Sequence, residues 1–187
     1  MRIIVGVTGA SGALYGYSLI RYLAHTGIEV HAVYTPMGEK VLHYECGLGL
    51  DEVRKYACLH ANDDLFSSIA SGSFKTKGMV VVPCSMHTLG YLANGGGEDL
   101  LTRAADVTLK ERRNLVIVPR EAPVNAIHLG NMLKLVQSGA VILPASPAFY
   151  HHPQTMSDLI AFVLGKIMDS LDIDHQLFKR WGERIAE

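Results

Sequence analysis

The chain has 187 residues, with 17 Lys+Arg against 18 Asp+Glu, so its length predicts one domain (1–187) and its balanced charge excludes the basicity of a non-specific nucleic-acid binder. Its apolar runs are shorter than the ~20 residues that a membrane helix needs, and it starts without a signal-peptide pattern, so we expect a cytoplasmic protein without membrane contact. A hydrophobic content of 49% predicts apolar surface that other copies of the chain cover.

Short β-branched segments predict strands, and segments with apolar residues at spacings of three and four predict helices between them. The predicted strands are Ile3–Val7, Glu29–Tyr34, Met79–Pro83, Leu115–Pro119 and Ala140–Pro144. The predicted helices are Leu14–Ala24, Thr102–Leu109, His128–Val136 and Met156–Leu171, with a short one over Asp51–Tyr56. This alternation is typical of an α/β fold with a doubly wound parallel sheet, a flavodoxin-like or Rossmann-like three-layer sandwich. Such sheets bind ligands at the carboxyl ends of their strands.

The first predicted strand runs into Gly9-Ala10-Ser11-Gly12 and then into a helix. The glycines permit a tight turn, and we expect free backbone N–H groups at the helix start to attract an anion or an electron-rich ring. The glycine spacing is not GxGxxG, so it does not support NAD binding. A strand–turn–helix corner needs glycine for packing as well, and the sequence leaves both interpretations open.

The strand that ends at Pro83 also leads into a helix, and Ser85 and Thr88 place hydroxyl groups at its start. This second turn is a further candidate anion site, although both hydroxyls could equally serve as helix caps. For Cys84, a small buried thiol is a better interpretation than a nucleophile, because no His–Asp pair is recognisable nearby.

Two prolines, Pro119 and Pro123, bracket Arg120-Glu121 directly after a predicted buried strand. With Lys110 upstream, this cationic region predicts a ligand that carries phosphate, while a solvated loop with a surface ion pair is the alternative.

The remaining polar segments give weaker predictions. Ser67–Ser73 is interpreted as a loop that could cover a site. His151-His152 has no third ligand at suitable spacing and the three cysteines have no CxxC spacing, so we expect no metal site. Trp181 is predicted either to anchor packing or to line the site of a neighbouring copy.

Nine segments across nearly the whole chain resemble the UbiX-type flavin prenyltransferases, a family that includes the small B subunits of phenolic-acid decarboxylase systems. The segments are 8–13, 83–85, 103–107, 109–113, 118–123, 128–129, 131–133, 149–151 and 153–154. Gly130 departs from the glutamate that is usual in the family's helix motif, while Thr35 and Lys166 stand where Ser and Arg are frequent.

The resemblance implies a metal-independent transferase. Reduced FMN would receive a dimethylallyl group from dimethylallyl phosphate on N5 and C6, and the prenylated FMN would serve a UbiD-type decarboxylase. It also implies a homo-oligomer, a dodecamer, with a C-terminal tail (about 172–187) packed on a neighbouring subunit. The alternatives are an FMN-dependent decarboxylase and an accessory flavin-binding subunit of a phenolic-acid decarboxylase.

The match to the family's motifs also implies site residues. Those implied to hold FMN are Gly9, Ala10, Ser11, Thr35, Ser85, Met86, His87, Thr88 and Arg120. Those implied to engage dimethylallyl phosphate are Lys110, Arg120, Glu121, Tyr150, Lys166 and Trp181. The implied catalytic residues are Ser11, Glu45, Lys110, Glu121 and Tyr150. Their chemistry agrees, because cationic and phenolic donors stabilise a departing phosphate, aromatic faces stabilise an allylic cation and a carboxylate moves protons.

Overall fold

Segments rich in β-branched residues form a six-stranded parallel sheet in the computed structural model, which describes residues 1–182. The strands are β1 (Arg2–Val7), β2 (Glu29–Tyr34), β3 (Cys58–His60), β4 (Gly78–Cys84), β5 (Asn114–Pro119) and β6 (Val141–Ile142). They lie in the order β3-β2-β1-β4-β5-β6, and each neighbouring pair is parallel. The strand order therefore reverses between β1 and β4, as in the doubly wound fold that was predicted.

Helices cover both faces of this sheet. They are α1 (Ala13–His25), α2 (Pro36–Cys46), α3 (Leu50–Arg54), α4 (Met86–Ala93), α5 (Leu100–Lys110), α6 (Ala126–Gln137) and α7 (Met156–Ser170). One core cluster joins Val5 and Val7 to α1 and α7, and a second joins Ile4 and Val81 to α4 and α5. Because the central strands are buried on both faces, they are apolar throughout and show no alternation.

The predicted strands and helices are confirmed, with shifts of a few residues at their ends. The last strand is shorter than predicted, since only Val141–Ile142 pairs with β5. Edge strand β3 and helix α2 were not predicted. For α2 a signal was present, because Thr35 caps the helix by accepting a hydrogen bond from the Gly38 N–H and Pro36 occupies the first turn.

Helix α6 differs from the expectation of a helix packed on the sheet. Only Leu135 on this helix is buried. Four of its apolar residues are more than half exposed, namely Ile127, Leu129, Leu133 and Val136. Its periodic apolar residues therefore give the protein a non-polar surface rather than core.

The described part of the predicted C-terminal tail contacts its own chain. Asp169 on α7 accepts hydrogen bonds from Arg180 at 2.8 Å and contacts the His175 ring at 3.1 Å, and Phe178 packs closely over Gly165. Residues 183–187 of that tail lie outside the described residues, and packing on a neighbouring subunit stays a prediction. Within 1–182, no helix has the length and apolarity to cross a membrane.

Candidate functional site

A large cavity lies at the carboxyl ends of the strands, beside the point where the strand order reverses. It has a volume of about 950 Å³. The residues implied to hold FMN that line it are Gly9, Thr35, Ser85, His87 and Thr88. This is the place where open parallel sheets bind ligands, so the fold itself positions these residues around one crevice.

The carboxylate of Glu45 binds the backbone of the turn after β1. Glu45 on α2 accepts hydrogen bonds from the backbone N–H groups of Gly12 and Ala13, at 2.9 and 3.0 Å. The N–H groups of Gly12 and Ala13 are therefore not free, and the expectation of free N–H groups at this helix start is wrong for them. The negative charge of Glu45 also compensates the positive end of the α1 dipole. Gly12 has a φ of 102°, a left-handed conformation that glycine adopts without strain.

The surroundings of Glu45 stabilise the ionised form of its carboxyl group. Partial burial raises the pKa of the carboxyl, but hydrogen bonds from Ser11, Gly12 and Ala13 and the charge of Arg120 outweigh it, so the pKa is lowered overall. Arg120, directly after β5, also donates from Nε to the carbonyl oxygen of Ser11 at 2.9 Å. Ser11, Glu45 and Arg120 thus form one cluster, although they come from three separate segments.

The turn after β4 is ordered by a buried threonine on the neighbouring strand end. The hydroxyl of Thr8, which is fully buried, donates to the carbonyl oxygen of Pro83 and accepts from the Ser85 N–H, both at 2.8 Å. Ser85 in turn accepts a hydrogen bond from the Thr88 N–H at 3.2 Å. The capping role considered for Ser85 is confirmed, and its hydroxyl and that of Thr88 lie together at the cavity wall.

The donors and surfaces of this crevice fit a flavin mononucleotide. Helices α2 and α4 both begin at it, so two positive helix ends and several hydroxyls are available for a phosphate. Met37, His87 and Tyr91 add flat or apolar surface for a ring system. The volume lies in the range of pockets that enclose a ligand of this size. Gly9 is explained by packing, since a Cβ there would lie 2.4 Å from Met37 Cγ.

Six of the predicted residues from the strand-end turns and α2 do not line the crevice wall: Ser11, Glu45 and Arg120 of the cluster just described, and Ala10, Met86 and Glu121. Ala10 and Met86 are buried, and Met86 contributes to a smaller cavity between α4 and α6. Glu121 is exposed, and its carboxylate accepts a hydrogen bond from the N–H of Ala122 within its own turn at 3.1 Å. Cys84 is fully buried, and burial raises the pKa of its thiol, which agrees with an inert side chain.

The predicted phosphate ligands from other segments are not brought together in one chain. Lys110 ends α5 shortly before β5 begins, so it lies toward the amino ends of the strands, whereas the crevice lies at their carboxyl ends; there Lys110 pairs with Glu111. Lys166 lies on α7 and pairs with Asp169 at 3.4 Å. Tyr150 and Trp181 line a separate cavity of about 450 Å³ and meet edge to face, with ring centroids 5.2 Å apart.

The chain matches the Flavoprotein family over residues 1–168. It is 49% identical over 190 aligned residues to the flavin prenyltransferase UbiX of Halalkalibacterium halodurans, and the match covers 96% of this chain and 92% of that protein. This chain belongs to the UbiX flavin prenyltransferases. The family resemblance drawn from the motifs is thereby confirmed.

Solved structures of UbiX proteins agree over almost the whole length. The crystal structure of AnUbiX (PadA1), in complex with FMN and dimethylallyl pyrophosphate, superimposes with a TM-score of 0.95 at 42% identity and covers 98% of each chain. The dodecameric FMN-dependent UbiX-like decarboxylase from Escherichia coli O157:H7 superimposes with a TM-score of 0.94 at 41% identity, covering 97% of this chain and 99% of that one.

Residues that sequence reasoning missed also line the crevice of this UbiX chain. They are Pro36, Met37, Lys40, Tyr91, Gly97, Glu98, Asp99 and Thr102. Lys40 and Met37 follow the Thr35-Pro36 helix start, so recognising α2 from that signal would have pointed to them. Asp99 caps α5 by accepting a hydrogen bond from the Thr102 N–H at 2.9 Å, a local pattern that the sequence also contains.

Proposed function

We propose that this protein joins a dimethylallyl group from dimethylallyl phosphate to N5 and C6 of reduced FMN, and that the prenylated FMN serves a UbiD-type decarboxylase. The observation that carries the proposal is the crevice at the strand ends, which is lined by two helix starts and several hydroxyls, with the Ser11–Glu45–Arg120 cluster at the neighbouring turn after β1. Relatives named flavin prenyltransferases, and AnUbiX with FMN and dimethylallyl pyrophosphate, support it.

In this proposal, FMN is held by the two strand-end turns. The hydroxyls of Ser85 and Thr88 and the N-terminus of α4 lie where a phosphate group finds donors. Thr35 caps α2, which forms the other wall of the crevice. Because Gly9 has no side chain, Met37 on α2 can lie close to the turn after β1. When bound, reduced FMN would supply the nucleophilic nitrogen and carbon to which the electrophilic allylic group is joined.

The Ser11–Glu45–Arg120 cluster supplies opposite charges within a short distance. Because the pKa of Glu45 is lowered, this carboxylate is negative at neutral pH, so it stabilises a nearby positive charge and does not act as an acid there. It also holds Ser11 in position. Arg120, with one N–H on the Ser11 carbonyl, keeps its remaining donors for a departing phosphate. Glu121, exposed beside it, moves the proton that ring closure at C6 releases.

We further propose that a homo-oligomer, a dodecamer, completes the site. Lys110 lies toward the amino ends of the strands and the crevice lies at their carboxyl ends, so we infer that Lys110 reaches the crevice of another copy. The exposed apolar face of α6 gives surface for such contacts, and the related E. coli protein is dodecameric. Tyr150, Lys166 and Trp181 then supply the phenol, cation and aromatic face that the dimethylallyl phosphate needs. No metal takes part in this chemistry, because cationic side chains neutralise the leaving group.

The direct test of the function is the mass of the flavin after an anaerobic reaction. Protein, reduced FMN and dimethylallyl phosphate are incubated, and the extracted flavin is expected to gain one C5H8 unit. A parallel arm uses dimethylallyl pyrophosphate. Unchanged flavin with release of CO2 from an aromatic acid would indicate a decarboxylase instead, and unchanged flavin without any reaction would indicate a carrier.

The proposed sharing of the site is tested by mixing two inactive variants. In oligomers assembled from equal amounts of Lys110→Ala and Arg120→Ala subunits, about a quarter of the sites combine an intact Arg120 with an intact Lys110 from a neighbour. We expect about a quarter of the parent activity to return, whereas light scattering should report the same assembly for each variant alone. If the mixture stays as inactive as its components, Lys110 does not act across an interface.

A further inference from the structure

Two histidines and a cysteine meet at the edge of the sheet, away from the crevice. His31 lies on β2, and Cys58 and His60 lie on edge strand β3, where Cys58 pairs with His31 in the parallel register. Because side chains alternate along a strand, Cys58 and His60 point to the same face. One ligand atom from each of these three residues lies within 4.8 Å of the other two.

The buried histidine of this cluster has a defined tautomer. His31 is 6% exposed, and its Nε2 lies 3.0 Å from a carboxylate oxygen of Glu29. Glu29 also accepts a hydrogen bond from Arg2 Nε at 2.9 Å through its other carboxylate oxygen. A carboxylate only accepts, so Nε2 carries the proton and the Nδ1 lone pair of His31 faces the other ligands. Metal-binding histidines are held by a carboxylate in this way.

The second histidine, His60, contacts a hydroxyl that can form a hydrogen bond with either tautomer of its ring. His60 Nδ1 lies 2.7 Å from the Ser67 hydroxyl, which can donate or accept. His60 Nε2 lies 2.9 Å from His31 Nδ1, and because His31 Nδ1 carries no proton, His60 Nε2 donates this hydrogen bond in the tautomer in which its Nδ1 accepts from Ser67. When Nδ1 donates to Ser67, the Nε2 lone pair points to the same space as that of His31.

We propose that His31 Nδ1, His60 Nε2 and Cys58 Sγ bind one zinc-class transition-metal ion, with the fourth position open to solvent. Two imidazoles and a thiolate are ligands that zinc prefers. Tetrahedral zinc sites separate their nitrogen ligands by about 3.3 Å, so the two rings need to open by only a few tenths of an ångström. Cys58 is exposed and can therefore complete the site without rearrangement of the core.

The segment after β3 preorganises this site. The Phe74 ring meets His31 edge to face at 4.9 Å, and Arg113 donates to the carbonyl oxygens of Gly72 and Phe74 at 2.6 and 2.7 Å. Within the predicted loop 67–73, Ser67 contacts His60, and Phe74, directly after that loop, contacts His31. His31 precedes Thr35 by four residues, roughly 13 Å along the strand, so the ion stabilises the sheet edge and takes no part in the proposed prenyl transfer.

Spectroscopic cobalt titration tests the site directly. The chelator-treated full-length protein is titrated with Co²⁺, which should produce a thiolate-to-cobalt charge-transfer band at one equivalent, and Zn²⁺ should remove that band by competition. Cys58→Ser should abolish the band, whereas Cys46→Ser, at a part-buried cysteine outside the cluster, should retain it. Absence of the band in the parent protein, or its survival in Cys58→Ser, would overturn the proposal.

A stability measurement gives a second, independent result. Zn²⁺ binding to the folded state raises the melting temperature. We expect this rise in the parent and in His43→Ala, an exposed histidine on α2, but not in His60→Ala or Cys58→Ser. The variants should all convert flavin like the parent. An equal zinc-induced rise in His60→Ala would show that the ion binds elsewhere and would contradict the assignment.

Discussion

Arg120 Nε donates a 2.9 Å hydrogen bond to the carbonyl oxygen of Ser11, joining the turn after β5 to the turn after β1. Glu45 binds the same turn from α2, so three segments that are distant in sequence hold one another at the crevice. The guanidinium is half-buried and bound through one of its five N–H groups. It therefore links the two turns, and its other N–H groups are the donors that we propose for an anion.

Replacing this guanidinium should weaken FMN binding. A hydrogen bond to a charged group contributes about 1.5–3 kcal/mol, so Arg120→Ala should raise the dissociation constant for FMN by roughly 10- to 150-fold. Arg54→Ala, an exposed arginine that pairs with Asp51 on α3, should bind FMN like the parent. Fluorescence quenching of FMN measures both constants, and an unchanged value for Arg120→Ala would remove this residue from the cofactor site.

Thr8→Val should disturb the turn after β4 without changing the shape of the core. The variant leaves the Ser85 N–H without its acceptor, which costs about 1–3 kcal/mol of unfolding free energy and also weakens FMN binding. Thr108→Val is the matched control, because this buried hydroxyl donates only to the Ala104 carbonyl inside α5. Urea unfolding and FMN titration compare the two, and equal losses would show that Thr8 has no special role at the crevice.

Glu45→Gln should change the pH dependence of stability. The folded pKa of Glu45 is lowered, so its contribution is present above the unfolded value of about 4.3 and is lost as pH falls through the folded pKa. The variant should be less stable than the parent at neutral pH by about 1 kcal/mol, as for a lost helix cap, and the difference should shrink below about pH 4. Glu39→Gln, an exposed carboxylate on the same helix, serves as the control. A gap that stays constant down to pH 3 would contradict this account.

Glu121→Gln should separate binding from chemistry. The amide keeps the shape and the acceptor of the side chain but cannot take up a proton, so FMN and dimethylallyl phosphate should still bind while turnover falls roughly 10²-fold or more. Lys110→Ala should instead raise the saturation constant and lower the maximal rate together. Anaerobic single-turnover flavin spectra distinguish the two patterns. Parent-like turnover in Glu121→Gln would make the Arg120-Glu121 pair structural.

Much of the fold could be predicted because its signals are local. The apolar strands and the spacing of three and four in α1, α5 and α7 are visible in a short window of sequence. Strand β3 was missed because Cys58–His60 is only three residues long and forms only by pairing with β2. Short edge strands of this kind depend on tertiary contacts rather than on propensity.

The candidate site was only partly predictable for the same reason. Helix starts such as Ser85 have a sequence signal, and motif resemblance implied Glu45, but nothing local indicates that Glu45 caps the N-terminus of α1 from α2. The cluster of His31, Cys58 and His60 likewise arises from strand register, so spacing rules for zinc motifs do not detect it. For Lys110, the proposed role depends on the proposed assembly, about which the sequence of one chain carries no local signal.

The most direct test of the proposed function counts the phosphate released against the flavin converted in an anaerobic single turnover with reduced FMN and dimethylallyl phosphate. The account predicts equal amounts of inorganic phosphate and C5H8-bearing flavin, formed at the same rate, in buffer that contains a metal chelator. Phosphate release without flavin modification, or a flavin that stays unmodified while the protein decarboxylates an aromatic acid, would contradict it.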